Sequence, residues 1–327
     1  MLSFLLRKTG GYNQWKNIGR GFCLWLVTII LWQIPVRANA QGIQLSGGID
    51  VRYALPEDRL NLEGVFLNFR KTWSDEMGDR WIAVIQSDFD DNFSRVKPYQ
   101  VYLQYKGPLG KWNIRSGHFL LPFGLLATYD TERLLLQGLE KTSLGIRKDT
   151  GVEALGRFGM WDYAVSVTDG LSDLKFIDSK ANPVFTGRLA YVQDDWQIGI
   201  SALAGRVLID PDFGTGDGDV RENRLAVDIT RILGPAVIRA EASGGTDNGC
   251  LVYGGLVLAD YALTPKMEVN SRVASWHGDS DSQSLGLGIT YQIRQGLYIR
   301  LADTYDFRRK NKNEIEGQIY YEFSKMF

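Results

Sequence analysis

The densest set of groups able to do chemistry lies between residues 130 and 148. There Asp130, Glu132, Arg133, Glu140, Lys141, Arg147 and Lys148 interleave both signs of charge. Carboxylates interleaved with guanidinium and ammonium groups can pair with one another or face a passing polar solute. Leu134, Leu135, Leu136 and Leu139 sit among these charges. A stretch so apolar is not left in water at a loop tip, so it needs a wall to pack on. A short helix over 129–142, capped by Asp130 or Thr131, would gather the leucines on one side. That wall is either the inside of a larger structure or its rim.

The elements that must supply the wall are strands. Alternating apolar and polar residues recur in sixteen segments, near 42–54, 62–73, 80–90, 98–107, 111–121, 150–158, 160–169, 183–193, 195–206, 223–233, 235–244, 250–263, 265–276, 283–294, 296–307 and 314–327. Each approximates the ~9–11 residues that a tilted membrane strand needs. Past residue 40 no stretch of ~18 apolar residues occurs, so a membrane-spanning reading requires a closed barrel, the one sheet without unpaired edges in lipid. Connections after even-numbered segments are tight, as at Gly107-Pro108-Leu109-Gly110, Gly159-Met160, Gly234-Pro235 and Thr264-Pro265. Those after odd-numbered segments are mostly longer and polar, and 245–249 is the short exception. Short turns on one side and long loops on the other are the asymmetry of an outer-membrane barrel.

Tryptophan agrees with this reading. Trp73, Trp81, Trp112, Trp161 and Trp196 flank tight turns and share the apolar face of their segments, as the aromatic girdle at one membrane interface would. The opposite faces are polar, which implies lipid outside and water inside. Asp303 breaks the alternation between Leu301 and Tyr305, and a bulge or a rim position is expected there.

The ends of the chain fit export. Arg7, Lys8, Lys16 and Arg20 precede an apolar run from Phe22 to Trp32, and Ala38-Asn39-Ala40 follows. This is the layout of a signal peptide over 1–40, leaving 41–327 as the barrel; an uncleaved anchor is the alternative. Five of the 37 basic residues and none of the 38 acidic ones fall in that leader, so the remainder carries 32 against 38, a charge of −6. An acidic chain is a poor nucleic-acid binder. Only Cys250 remains beyond the leader, so no internal disulfide is available. The last strand alternates from Ile315 to Phe327 and stops on an aromatic, which resembles the C-terminal signature of bacterial outer-membrane barrels.

A more specific resemblance lies at the fifth segment. The run Arg115-Ser116-Gly117-His118-Phe119-Leu120-Leu121-Pro122-Phe123-Gly124 resembles the R-x-G-x-F-x-x-P-F-G strand end of the phosphate-selective porin family, carried by Arg115, Gly117, Phe119, Pro122, Phe123 and Gly124. The resemblance implies a sixteen-stranded all-β antiparallel barrel, a third outer loop folded into the lumen with Asp130, Glu132, Arg133, Glu140, Lys141, Arg147 and Lys148 as the pore constriction, passive diffusion of small hydrophilic solutes, a homotrimer, and outer-membrane lipid and lipopolysaccharide as surroundings. The charges depart from an anion channel. By alternation the inward basic residues are Arg52, Arg70, Lys106, Arg115, Arg157, Arg188, Arg224, Arg239, Arg272 and Arg300. Facing them are Asp50, Asp88, Glu153, Asp162, Asp228, Glu241, Asp260, Glu268, Glu316 and Glu322. Such a balanced lumen gives weak charge preference, where an anion channel shows unopposed arginine or lysine.

Other chemistries find little support in the residues. The second residue after His118 and His277 is Leu120 or Asp279, so the His-x-Ser pair of outer-membrane phospholipases is missing. No Cys-x-x-Cys-His attaches haem, and no cofactor or metal site is expected. The acidic stretch 210–222 departs from an EF-hand and reads as a solvated outer loop. A barrel sheathing a separate cytochrome, and a barrel enzyme of lipase or protease type, are the alternatives to a diffusion pore.

Overall fold

A computed structural model of the chain describes residues 42–55, 58–76, 78–90, 95–171, 182–208, 219–278, 281–308 and 312–327. The leader expected over 1–40 lies outside the described residues, as does most of the acidic stretch 210–222. Sixteen strands follow in order: β1 (Ile43–Leu55), β2 (Arg59–Asp75), β3 (Gly78–Asp90), β4 (Arg95–Lys106), β5 (Asn113–Leu120), β6 (Lys148–Phe158), β7 (Trp161–Thr168) and β8 (Val184–Val192), then β9 (Trp196–Leu208), β10 (Asp219–Leu233), β11 (Ala236–Asp247), β12 (Cys250–Thr264), β13 (Met267–His277), β14 (Ser282–Arg294), β15 (Leu297–Asp306) and β16 (Lys312–Met326). Each pairs antiparallel with its neighbours, and β16 returns to β1 to close the barrel.

The alternation decides which way each strand faces, because successive side chains point to opposite sides of the sheet. In β16, Ile315, Ile319, Tyr321 and Phe323 are exposed on the outer surface, while Gln318 and Tyr320 are buried on the inner one. Leu225, Val227 and Ile229 alternate in the same way with Glu222, Arg224, Ala226 and Asp228 in β10. An outer wall of exposed aliphatic and aromatic side chains is costly in water and suits hydrocarbon.

The girdle is built by side-chain contact. Trp73 pairs with Trp81 across β2 and β3, Trp81 meets Tyr105 at 5.0 Å, and Tyr105 meets Trp112 at 5.5 Å. Further round, Tyr191 bridges Trp161 and Trp196 at 5.1 and 5.5 Å. Amphipathic rings at one level anchor a barrel at a membrane interface.

Three local features refine the reading of the two faces. A bulge in β4 opposite Gln86 and Ser87 leaves Tyr99 outside the ladder, and its ring is buried. No register shift occurs near Asp303: it pairs with Leu287 and Ile315, three residues from the long-loop end of β15. The bulge expected there is absent, and proximity to the rim is what makes the carboxylate tolerable. At the end of β11 the chain reverses through Asn248 (φ 48°) and Gly249 (φ 89°) alone. This Asn-Gly two-residue turn fits the twist of a hairpin.

A charge placed at Ile319, in the middle of the outer face of β16 and half exposed, tests the assignment of faces. Ile319→Arg is expected to weaken folding into lipid bilayers by about 2–4 kcal/mol, read as a lower urea midpoint. Thr230→Glu, on the half-buried inner face of β10 opposite Arg239, should move it far less.

Candidate functional site

The connection between β5 and β6, residues 121–147, is the longest one described, and its stem is an extension of the ladder. Leu121 N–H donates to the Arg147 carbonyl at 2.9 Å. Two glycines of the motif run set the geometry before and after this point. Gly117 has φ 136°, and a Cβ there would stand 2.2 Å from the Val101 carbonyl. Gly124 has φ 50°, and a Cβ there would meet the Glu241 carboxylate at 2.4 Å. Without a side chain, Gly124 N–H reaches Ser201 Oγ at 3.0 Å and Leu125 N–H donates to Glu241 Oε2 at 2.7 Å. The segment is thereby fixed against β9 and β11.

The leucines find inner-face partners. Leu121, Phe123, Leu126, Leu144 and Ile146 pack with Val184, Leu203, Val207 and Ala226 of β8, β9 and β10. Leu125 and Leu139 pack with Val252, Leu256, Leu258, Ala274 and Trp276 of β12 and β13. Leu135 and Leu136 lie on Ala302 of β15. The inner wall is therefore not polar throughout, contrary to the alternation rule applied to every strand. Its apolar patches lie where the connection covers them.

The helix expected over 129–142 is not formed. A 3-10 turn at Gly124–Ala127 and a single α-turn at Glu140–Ser143 stand in its place. Carbonyls that a helix would use internally point to the wall instead: Arg52 donates to Glu132 O, Arg300 and Gln318 to Arg133 O, and Arg272 to Gln137 O at 2.7 Å. Thr131 Oγ1 accepts from Gly138 N–H at 2.8 Å rather than capping a helix.

The seven charges of this region divide into two groups. Asp130, Glu132 and Glu140 surround Arg147, whose side chain is fully enclosed; Asp130 is at 3.0 Å, Glu140 at 3.4 Å, and Glu132 is in direct contact. Burial pushes the Glu140 carboxyl up from its usual range. Burial, with Arg52 nearby, pushes the Lys141 ammonium down. Arg133 turns away from this hub to Asp88 of β3 at 2.7 Å, with its guanidinium 3.7 Å from the Phe66 ring. Lys148, already in β6, lies 4.2 Å over the Tyr99 ring. Tyr99 in turn donates to Asp130.

Most inner-face charges expected from the alternation are paired. Arg52 binds Asp50 at 2.8 Å, Arg188 binds Asp228 at 2.6 Å and Arg239 binds Asp260 at 2.5 Å. Arg115 contacts Glu153, and Arg157 contacts Asp162 near the short-turn end. Arg224 lies between Glu222 and Asp247. Glu222 thus belongs to the inner wall of β10, where it also accepts from Gly145 N–H, and not to a solvated loop. Lys106 is 3.5 Å from Asp79, and Arg70 is exposed. Glu316 sits between Ala54 and Ala302 in register. Glu268 and Glu322 take Asn270 and the Tyr320 hydroxyl as donors.

On the short-turn side of the segment lies a cavity of about 560 Å³. Tyr129, Arg133 and Leu136 line it on one side, and strands β12 to β16 on the other. Tyr129 is a lining residue that charge pattern could not single out. Arg239 lies 3.9 Å over its ring, and burial pushes its phenol up to about 12. Phe66, Tyr298 and Tyr320 were likewise outside the charge pattern. The signal for them was their inward parity.

Gly124→Ala combines a left-handed backbone with an overlap on Glu241, and should cost about 1–3 kcal/mol. Its urea midpoint is expected to fall while Gly110→Ala, at an open turn, falls less. Arg147→Met leaves three carboxylates around an uncharged side chain and should cost about 3–5 kcal/mol. The same denaturation series measures it.

No family model matches the chain, and no curated protein sequence matches it. Solved structures do. OmpT of Vibrio cholerae, an outer membrane protein in its trimer form, superposes with a TM-score of 0.67 at 10% identity, over 86% of this chain and 100% of that one. The anion-selective porin from Comamonas acidovorans gives 0.64 at 12% identity, over 87% and 100%. The outer membrane channel DcaP of Acinetobacter baumannii gives 0.61 at 13% identity, over 88% and 99%. At these identities the likeness is one of fold: the chain is a sixteen-stranded antiparallel barrel of porin type.

Proposed function

We propose that the protein is an outer-membrane porin through which small hydrophilic solutes or ions diffuse passively, with residues 121–147 folded into the lumen as its constriction. The observation that carries this reading is the reach of Arg133. Its side chain binds Asp88 of β3 while its carbonyl accepts from Arg300 of β15 and Gln318 of β16. The same segment contacts β9 to β13. A connection held on both sides of a barrel narrows it, which disfavours a threaded cytochrome and the sheath reading. It also gives no support to a barrel enzyme.

Weak charge preference follows from the pairing of inner-face charges, since neither sign is left as an unopposed ladder. Arg115 of the motif run is spent on Glu153, so the resemblance to phosphate-selective porins is not extended to phosphate. The homotrimer belongs to the proposal too, by analogy with the trimer form of Vibrio cholerae OmpT; crosslinking in detergent reads it.

Purified protein in planar bilayers should give discrete conductance steps with a reversal potential near zero in a salt gradient. Absence of steps sinks the porin reading, and a strongly anion-selective reversal sinks weak preference. Arg133→Ala removes the contact with Asp88 and should raise unit conductance, whereas a segment packed outside the lumen would leave it unchanged.

A further inference from the structure

The cavity on the short-turn side has a small-residue floor and two charged edges whose arrangement the pore reading does not use. Its floor is Gly288 and Thr290 of β14 and Ala302 of β15. Glu268 stands opposite Thr290 on one side, and Arg300 opposite Thr290 on the other. The carboxylate and the guanidinium thus rise from strands two apart, with backbones about 10 Å from each other. Leu134, Leu135 and Leu136 line the cavity from the side of the connection, and such apolar groups lower the local dielectric and strengthen any charge contact made there.

Each edge is held away from the other. Glu268 Oε1 accepts from Asn270 Nδ2 at 2.6 Å, and Asn270 is fixed further by Asp260 and Thr290. Arg300 Nη1 donates to Gln318 Oε1 at 2.8 Å and to the Arg133 carbonyl at 2.9 Å, on the side remote from Glu268. Its guanidinium lies over the rings of Tyr298 and Tyr320, at 5.3 and 4.9 Å. Of the other charges lining the cavity, Asp260 pairs with Arg239, Arg133 with Asp88 and Asp130 with Arg147; Glu322 accepts from the Tyr320 hydroxyl, and Lys266 lies at the Thr264–Lys266 turn that ends the cavity. Flanking Thr290 across the floor, Glu268 and Arg300 form a separated pair of opposite charges over a shallow groove.

We propose that this groove binds a small zwitterion, its ammonium on Glu268 and its carboxylate on Arg300, with the two charges several bonds apart as in a dipeptide. This names a solute class for the pore and rests on that reading. A simple cation or anion gains at one edge and is repelled at the other, whereas an aligned dipole gains at both. An α-amino acid, with its ammonium and carboxylate on one carbon, is too short to reach both edges.

Calorimetric titration of glycylglycine into the folded full chain in detergent tests the proposal. Glycinamide, lacking the carboxylate, and N-acetylglycine, lacking the ammonium, serve as comparisons. Saturable binding of glycylglycine is expected, roughly tenfold or more tighter than either comparison. Glu268→Gln and Arg300→Gln should each weaken it by a similar factor, with unchanged β-sheet circular dichroism. Glycinamide binding as tightly as glycylglycine, unaltered binding in both variants, or no saturable heat would each overturn it. Conductance measured on the same preparation separates the two readings. Steps without binding sink the groove alone, and binding without steps sinks the pore while keeping the groove.

Discussion

Everything in this molecule depends on the seam between its first and last strands. Ile43 N–H donates to the Phe327 carbonyl at 3.2 Å and Phe327 N–H to the Ile43 carbonyl at 2.8 Å, and twelve residue pairs from Gln44–Met326 to Leu55–Ile315 continue the ladder. In hydrocarbon an unpaired backbone group has no water to fall back on, and each costs several kcal/mol. Fifteen well-formed hairpin pairings would still leave two open edges. The seam converts a sheet that would aggregate into one that has no edge, and only then do its two faces become an outside and an inside.

Once the barrel is closed, its interior is too wide for wall side chains alone to fill, and the 121–147 connection resolves part of this. It brings apolar side chains to β8–β10, β12–β13 and β15 and hydrogen-bond acceptors to Arg52, Arg272 and Arg300. Its own net of charges is centred on Arg147, so the ionic groups of the connection carry their counter-charges with them. Burying an arginine is tolerable when carboxylates surround it. The two glycines that permit close approach lie on either side of the stem, which explains why the motif run is compact.

The strands were legible because period-two alternation is a strong signal and tight turns punctuate it. All sixteen segments are strands, with ends displaced by a few residues: 223–233 begins at Asp219, and 150–158 begins at Lys148. The girdle was legible from Trp73 to Trp196, whereas the linking Tyr105 and Tyr191 carry no distinctive spacing. The connection was legible as an apolar, charged stretch in need of a wall. Its internal shape was not. Helix propensity over 129–142 is a local preference of a few tenths of a kcal/mol per residue, and the wall arginines that take the carbonyls of Glu132, Arg133 and Gln137 lie up to 167 residues away. Nor could alternation distinguish an inward leucine that meets water from one that meets Leu139. Leu256 and Leu258 are inward, buried and apolar for that second reason.

The Asn248–Gly249 turn has a consequence for the wall that holds Leu125. A two-residue turn fixes the register of the strands it joins, so the pairing of β11 with β12 runs unbroken from Ala236–Tyr261 to Asp247–Cys250 and sets Glu241 directly opposite Leu256. Leu125 uses both residues, its N–H donating to the Glu241 carboxylate and its side chain packing with Leu256. A slip of one residue would turn one of the two to the other face, so a turn at the end of the hairpin acts as the clamp of a contact six residues further along it.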